Sequence, residues 1–402
     1  MKLLYISTLL SDDIAEKLSC TTKINIHNCA QKFNRLVASG FVKNNVSVTT
    51  LSIIPISRSS SKKLCWHIPS HIEKNINFKY IPFLNIPIFR HLCLFFYSFF
   101  FTLFWGIKYR KENFLVCDAL NISTCMGSLL ASKIIGLPSM GIVTDLPGLT
   151  VGSVSNNKHF LKRIIGYFNK SYLASFSCYV FLTEQMNHII NTKHRPYIVM
   201  EGLVDEDMVE SISLPNMSKN EKKILLYAGG LHERYGLKML VEAFMQIKDP
   251  TIELWLYGDG PFVPKLKEYC KQDYRILYHG IVPNEQVVQA ELTVTLLVNP
   301  RPTTEEFTQY SFPSKNMEYM VSGTPVLTTC LPGMPTEYYP YVYLFEEETL
   351  EGVTQTIRDV LLQSPEQLQK KGLSAKQFVL KKKNNVIQTK RMIDLLKTGR
   401  IS

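Results

Sequence analysis

Between Tyr227 and Val326, four short segments gather the residue types that hold phosphates and sugar hydroxyls. The first runs Tyr227-Ala228-Gly229-Gly230-Leu231 and continues through His232, Glu233, Arg234, Tyr235 and Gly236 into an apolar, helically spaced stretch from Leu237. A strand that ends in Gly-Gly and opens into a helix leaves backbone N–H groups free, and it carries no Cβ to keep an anion away. Arg234 adds a guanidinium suited to a charge-assisted contact with a diphosphate. The segment from Glu305 and Glu306 through Tyr310-Ser311-Phe312-Pro313-Ser314-Lys315-Asn316-Met317-Glu318 is the most specific. Pro313 and Ser314 start a helix there, so its first amides and Lys315 can face an anion. Glu318, one turn in, can accept both hydroxyls of a ribose. Gly323 closes that helix and Pro325 opens the next strand. Between these segments lie Tyr257-Gly258-Asp259-Gly260-Pro261, which alone reads as a turn, and His279-Gly280-Ile281-Val282-Pro283. The second of these can set backbone groups against a base.

Such groups work only if parallel strands deliver them to one edge. The chain reads as strands and helices in alternation, twice over. In the first half, Lys2–Ser7, Val46–Ile53, Phe114–Cys117, Ser139–Thr144 and Cys178–Leu182 read as strands, with a helix over Gln31–Ser39. In the second half, Ile224–Tyr227, Ile252–Tyr257, Ile276–Tyr278, Leu292–Val298 and Pro325–Thr328 are strands, with helices over Leu237–Gln246 and Lys315–Met320. This rhythm predicts an α/β chain of two doubly wound, Rossmann-like domains with a ligand site in the cleft between them. The expected boundaries are 1–200, 201–375 and a basic helical tail at 376–402. That tail is either a solvated helix or one that crosses back to the first domain.

The chain has 402 residues, 46% of them hydrophobic and 20% charged, enough for two or three domains with large cores and too apolar for disorder. Nine cysteines without a CxxC pair support neither a zinc site nor a disulfide framework, which fits a reducing cytoplasm. The net charge of +11 is uneven: residues 1–200 hold 22 Lys/Arg against 8 Asp/Glu, the rest 23 against 26. A basic first half suits nucleic acid or an anionic membrane. No nucleic-acid-binding signature accompanies it, and the aromatics cluster in apolar runs, so the membrane surface is the expected partner.

Met1–Leu10 reads as a buried first strand, not a signal peptide, because Ser11-Asp12-Asp13 follows without a small-residue cleavage site. The most apolar run is Leu92–Ile107, about 16 residues and short of the roughly 20 a spanning helix needs. It reads either as a core helix or as one partly presented to lipid. Arg90, Lys108, Arg110 and Lys111 flank it. Peripheral binding of electrostatic origin, fading by 1 M salt, is therefore expected.

In this order the four motifs resemble the GT-B fold retaining glycosyltransferases of family 4, in particular the bacterial enzymes of capsular and exopolysaccharide biosynthesis. The resemblance is strong over residues 197–345 and diffuse before them. It implies transfer of a sugar from a nucleotide-sugar, expected to be a UDP-sugar, to a lipid-linked oligosaccharide with retention and with no metal or cofactor. The implied donor-binding residues are Gly229, Gly230, Gly258, Ile281, Val282, Ser314 and Glu318. Where such enzymes usually carry an Arg and a Lys for the diphosphate, this chain has Gly230 and Tyr235, so Arg234 and Lys315 are read as the substitute cations on the leaving diphosphate. Tyr310 stands where such enzymes usually carry a glutamate eight residues before Glu318, and Glu305 or Glu306 would have to replace it. In the first domain, Asp145 is either a strand-ending turn residue or a contact to the sugar or acceptor. Lys32 and Arg35 either meet an acceptor phosphate or lie on an exposed helix face. Asn25 to Phe33 replaces the usual Gly-Gly loop, and His27 and His91 read as structural. The alternatives are a sugar-nucleotide 2-epimerase of the same fold and a member that only binds. The expected location is the cytoplasm, against the inner face of the membrane.

Overall fold

A computed structural model describes residues 1–22, 29–109, 113–146, 171–208 and 222–398. The chain divides into two units, Met1–Leu203 with Asn385–Ser402, and Val204–Asn384. Asn25, His27, Arg110, Lys111 and Gly148 lie outside the described residues.

In the first unit the strands are β1 (Lys2–Ser7), β2 (Ser47–Ser52), β3 (Cys65–Trp66), β4 (His71–Glu73), β5 (Ile76–Tyr80), β6 (Phe83–Leu84), β7 (Asn113–Asp118), β8 (Ser139–Val143), β9 (Cys178–Phe181) and β10 (Tyr197–Val199). The helices are α1 (Asp12–Thr21), α2 (Cys29–Lys43), α3 (Pro87–Lys108), α4 (Ile122–Ile135) and α5 (Glu184–Ile190). Strands β1, β7, β8 and β9 are apolar at nearly every position and buried along their length, as a sheet covered on both faces requires. They form one sheet in the order β10-β9-β8-β7-β1-β2-β5-β4, parallel except for the edge pair β4 and β5. The strand order reverses between β1 and β7, so the carboxyl ends of these two strands flank the unit's natural crevice.

Helix α3 is built inside out. It spans 22 residues, about 33 Å at 1.5 Å per residue, and it is long and apolar enough to cross a membrane by length and composition. The apolar run read in the sequence, Leu92–Ile107, is extended at its start by one further turn, Pro87–His91. Its inward face carries small polar groups. Ser98 donates to the Thr124 carbonyl (2.8 Å) and Thr102 to the Ser128 hydroxyl (2.9 Å). A Cβ at Gly127 would lie 2.3 Å from the Phe95 carbonyl oxygen, so α3 and α4 touch backbone to backbone. Its outward stripe is Phe89, Leu92, Phe96, Phe100, Phe104 and Ile107, all exposed, and Leu130 and Ile134 of α4 extend it. Small residues between helices with large apolar ones outside is the pattern of helices that face lipid.

In the second unit the strands are β11 (Lys223–Ala228), β12 (Ile252–Tyr257), β13 (Ile276–Gly280), β14 (Leu296–Asn299), β15 (Val326–Thr329) and β16 (Tyr343–Phe345). The helices are α6 (Leu237–Gln246), α7 (Val263–Gln272), α8 (Asn284–Glu291), α9 (Ser314–Ser322), α10 (Leu350–Leu361) and α11 (Pro365–Lys382). The sheet is parallel throughout, in the order β13-β12-β11-β14-β15-β16. Successive residues of β11 enter opposite core layers, Leu225 with Leu240, Phe244 and Leu254, and Leu226 with Leu297, Tyr319 and Met320. This is the doubly wound arrangement read from the alternation, and its order reverses between β11 and β14. Strand β14 starts at Leu296, later than the sequence suggests, because Leu292 still caps α8 through its N–H to the Val288 carbonyl (3.2 Å).

The second unit does not end at residue 375. Helix α11 runs unbroken past that point, with Ala375, Phe378 and Val379 buried in the unit's core. The break comes at Lys383-Asn384. The last helix, α12 (Asn385–Thr398), belongs to the first unit and lies against α2. Asn385 donates to the Ser39 hydroxyl (2.9 Å), and Asn44 donates to the Val386 carbonyl (2.9 Å) and to Thr389 (3.0 Å). Of the two readings of the tail, the helix that crosses back is the one observed.

Candidate functional site

The carboxyl ends of β11, β14 and β15 converge in the second unit, and α9 is bolted to all three. Asn316 accepts a hydrogen bond from Asn299 (2.6 Å) and donates to Thr328 (3.2 Å), whose hydroxyl donates to the Asn299 carbonyl (3.1 Å). Tyr319, fully buried, takes the Ala228 N–H (2.8 Å) and donates back to the Ala228 carbonyl (3.2 Å). These bonds fix the start of α9 beside the Gly229-Gly230 turn. The residues that make them carry no binding signature of their own, which is why the sequence motifs pass over them.

The turn itself is tightly packed. A Cβ at Gly258 would stand 1.9 Å from the Gly229 carbonyl oxygen, and Gly258 has a φ of 124° that L side chains avoid. The Gly229 N–H is not free as expected, since it donates to the Tyr257 carbonyl (3.1 Å). The Gly230 amide is the one of the pair with no acceptor among the described residues. The Tyr227 hydroxyl donates to the Gly230 carbonyl (3.0 Å), and burial pushes its pKa up to about 12.

Both nominated cations already have carboxylate partners. Arg234 makes two hydrogen bonds to one oxygen of Glu305, at 2.8 and 3.2 Å, while its guanidinium lies over the Phe307 ring at 4.5 Å. Glu305 is thus tied to Arg234 in this state. Lys315 pairs with Glu318 at 2.6 Å, one helical turn away. Ser314, the first residue of α9, is exposed. Arg301, two residues past β14, lies outside the four sequence motifs. Its guanidinium lies 4.6 Å from the Tyr235 ring centroid. No motif contains it, and only the strand end before it hinted at its place.

On the other side of β11, Ile281 is 77% exposed just beyond β13, and Val282 packs on the core. His279 stacks on Tyr257 with ring centroids 4.4 Å apart, and burial pushes its pKa down. An exposed isoleucine at a strand end offers a flat apolar surface to a base.

In the first unit, Asp145 follows β8, and burial pushes its carboxyl up. Asp118, absent from the sequence reading, ends β7 at the reversal point of the sheet. Burial raises its carboxyl too, opposed by a hydrogen bond from Asn34 (3.3 Å), which in turn accepts from the Tyr5 hydroxyl. Arg35 pairs with Asp12 at 3.0 Å on the exposed side of α2, and Lys32 is exposed on the same helix. His91 does have a partner, the Ser123 hydroxyl at 2.8 Å.

Residues 222–363, most of the second unit, match the family model described as glycosyl transferases group 1. Over these residues the second unit is similar to the group 1 glycosyl transferases. Solved structures extend the likeness over the whole chain. The sucrose-phosphate synthase of Thermosynechococcus elongatus is 13% identical, with 99% of this chain and 100% of that one covered and a TM-score of 0.67. A glycosyltransferase from Rickettsia africae is also 13% identical, covering 99% and 98% at a TM-score of 0.66. HepE of Anabaena, solved with UDP and glucose, is 13% identical, covering 99% and 100% at a TM-score of 0.60. Among curated proteins nothing matches. The fold is accordingly GT-B, a pair of Rossmann-like domains.

Proposed function

We propose that the chain is a retaining, metal-independent glycosyltransferase of surface polysaccharide biosynthesis. It moves a hexosyl or N-acetylhexosaminyl group from a UDP-sugar to a lipid-linked saccharide at the cytoplasmic face of the membrane. The observation that carries this reading is the site at the β11–β14 reversal of the second unit. There a glycine turn, the first turn of α9 and the Lys315–Glu318 pair come together. Breaking a sugar–phosphate bond leaves negative charge on the diphosphate, and the dipole of a helix start beside a glycine turn meets that charge. Glu318 holds the ribose, and the leaving oxygen itself takes the acceptor proton on the same face, which gives retention without a strong base. HepE, whose complexes hold UDP and UDP-glucose, supports the choice of base. Within the first unit, Asp145 and Asp118, whose carboxyls burial raises, are the groups suited to a sugar or acceptor hydroxyl. The comparisons do not favour an epimerase or a member that only binds.

Thermal melting of the full chain with UDP-, GDP- and ADP-sugars tests the donor. A ligand that binds only the native state stabilises it by about 2.7 kcal/mol at a hundredfold excess over Kd. A rise in Tm with a UDP-sugar is expected. No rise with any of the three classes would remove the donor reading.

The outward stripe of α3 supplies the membrane contact. Lys108 at its end and the 22 Lys/Arg of residues 1–200 match an anionic surface, and the apolar stripe matches its acyl boundary. The helix thus lies in the plane of the membrane surface, its small-residue face on α4.

A further inference from the structure

A donor diphosphate needs a cation that is positioned and not already neutralised. Arg234 is held by Glu305 and Lys315 by Glu318. Arg301 stands apart from both. It has no ion pair among the described residues, and its Nε is buried with no hydrogen-bond partner. A buried guanidinium N–H left unmatched is costly, and a bound acceptor relieves the cost.

Its surroundings hold the guanidinium without consuming its donors. The Tyr235 ring lies 4.6 Å from it and the Phe307 ring 5.9 Å, so aromatic faces fix its position. The same Tyr235 ring borders the glycine turn, since a Cβ at Gly230 would meet it at 3.4 Å. The chain reaches Arg301 through Pro300, whose carbonyl oxygen would sit 1.8 Å from a Cβ at Gly236, so this strand end presses against the start of α6. Arg301 therefore follows β14 and Gly229-Gly230 follow β11. These are the two neighbouring strands at which the sheet order reverses, where doubly wound sheets bind their ligands.

We propose that Arg301 is the diphosphate-binding arginine of this chain, presented by Tyr235 and Phe307 to an anion seated on the Gly230 amide. This rests on the nucleotide-sugar reading above and names the residue that distinguishes a nucleoside diphosphate from its nucleoside. Arg234 becomes the partner that keeps Glu305 and Phe307 in place.

Calorimetry on the full chain tests it, with UDP, GDP and ADP each measured against the corresponding nucleoside. The wild type should bind one diphosphate at least tenfold more tightly than its nucleoside. Arg301→Gln should reduce that ratio at least tenfold while the nucleoside affinity stays within twofold. Arg301→Lys should fall between, because an ammonium lacks the planar fork. Arg234→Gln should lower the ratio less than threefold. An Arg301→Gln variant with the wild-type ratio would overturn the proposal and leave the donor reading standing. Equal loss of nucleoside and diphosphate binding would also overturn it, by making Arg301 structural. A wild type that binds none of the three diphosphates would overturn both.

Discussion

Replacing Glu318 with alanine weakens the nucleoside by ten- to hundredfold and the nucleoside diphosphate by less. The first effect is the loss of charge-assisted hydrogen bonds from the ribose hydroxyls, worth about 1.5–3 kcal/mol. The second follows from geometry particular to this site. Lys315 lies 2.6 Å from Glu318, so removing the carboxylate releases an ammonium next to the phosphates. The released charge offsets part of the ribose loss for UDP and none of it for uridine. Glu318→Gln, which keeps the shape and one acceptor oxygen, should lose less in both. Melting temperature should hold, because the pins of α9 are Asn316 and Tyr319, not Glu318. Calorimetry with uridine and UDP measures the two effects. Unchanged uridine affinity would end the ribose assignment.

With vesicles that carry anionic lipid, the chain should pellet at low salt and remain largely bound at 1 M. This departs from the electrostatic expectation, and the magnitudes decide it. Each Lys/Arg at such a surface contributes about 1 kcal/mol, and 1 M salt screens that within about 3 Å. Of the flanking basic residues that are described, Arg90 is held back. It donates to the Ile54 carbonyl (3.3 Å) and stacks over Phe83 (4.9 Å). Against this, fully burying one Phe, Leu or Ile side chain contributes about 1.5–3 kcal/mol. Half of that over Phe89, Leu92, Phe96, Phe100, Phe104 and Ile107 exceeds the charge term, and salt does not screen it. The double variant Phe100→Glu/Phe104→Glu should abolish pelleting and leave UDP binding intact, since both residues lie in the other unit. Charge reversal at Lys108 alone should only weaken the binding. Full release of the wild type at 1 M salt, or pelleting of the double variant, would contradict insertion of this face.

The parts of the fold legible in the sequence were those written in short-range patterns. Strands such as Ile252–Tyr257 and helices such as Leu237–Gln246 appear where the apolar runs and spacing put them. The glycine turns and the start of α9 lie at strand ends for the same reason. Pairings across long separations were not legible. Arg234 and Glu305 are 71 residues apart, and nothing local says that they neutralise each other. Arg301 is not legible in the sequence because its setting is an aromatic cradle assembled from Tyr235 and Phe307, one before it and one after it. Helix α3 was ambiguous because its composition gives the apolar content and not which face turns inward. Only its contact with α4 shows that Ser98 and Thr102 do. The end of the second unit is not legible for a similar cause, because charge density marks the tail but a continuous α11 decides where it begins.

Glycosyl transfer from a nucleotide-sugar can be observed in a single reaction. The full chain is incubated with the UDP-sugar that raises its Tm and a polyprenyl diphosphate-linked N-acetylhexosamine in detergent micelles. Release of UDP is followed alongside the mass and anomeric proton coupling of the lipid product. Acceptor-dependent UDP release, a mass gain of one sugar per acceptor, and a new linkage with the donor's anomeric configuration are expected. UDP release that is indifferent to acceptor, with the donor sugar epimerised or the lipid unchanged, would rule out glycosyl transfer.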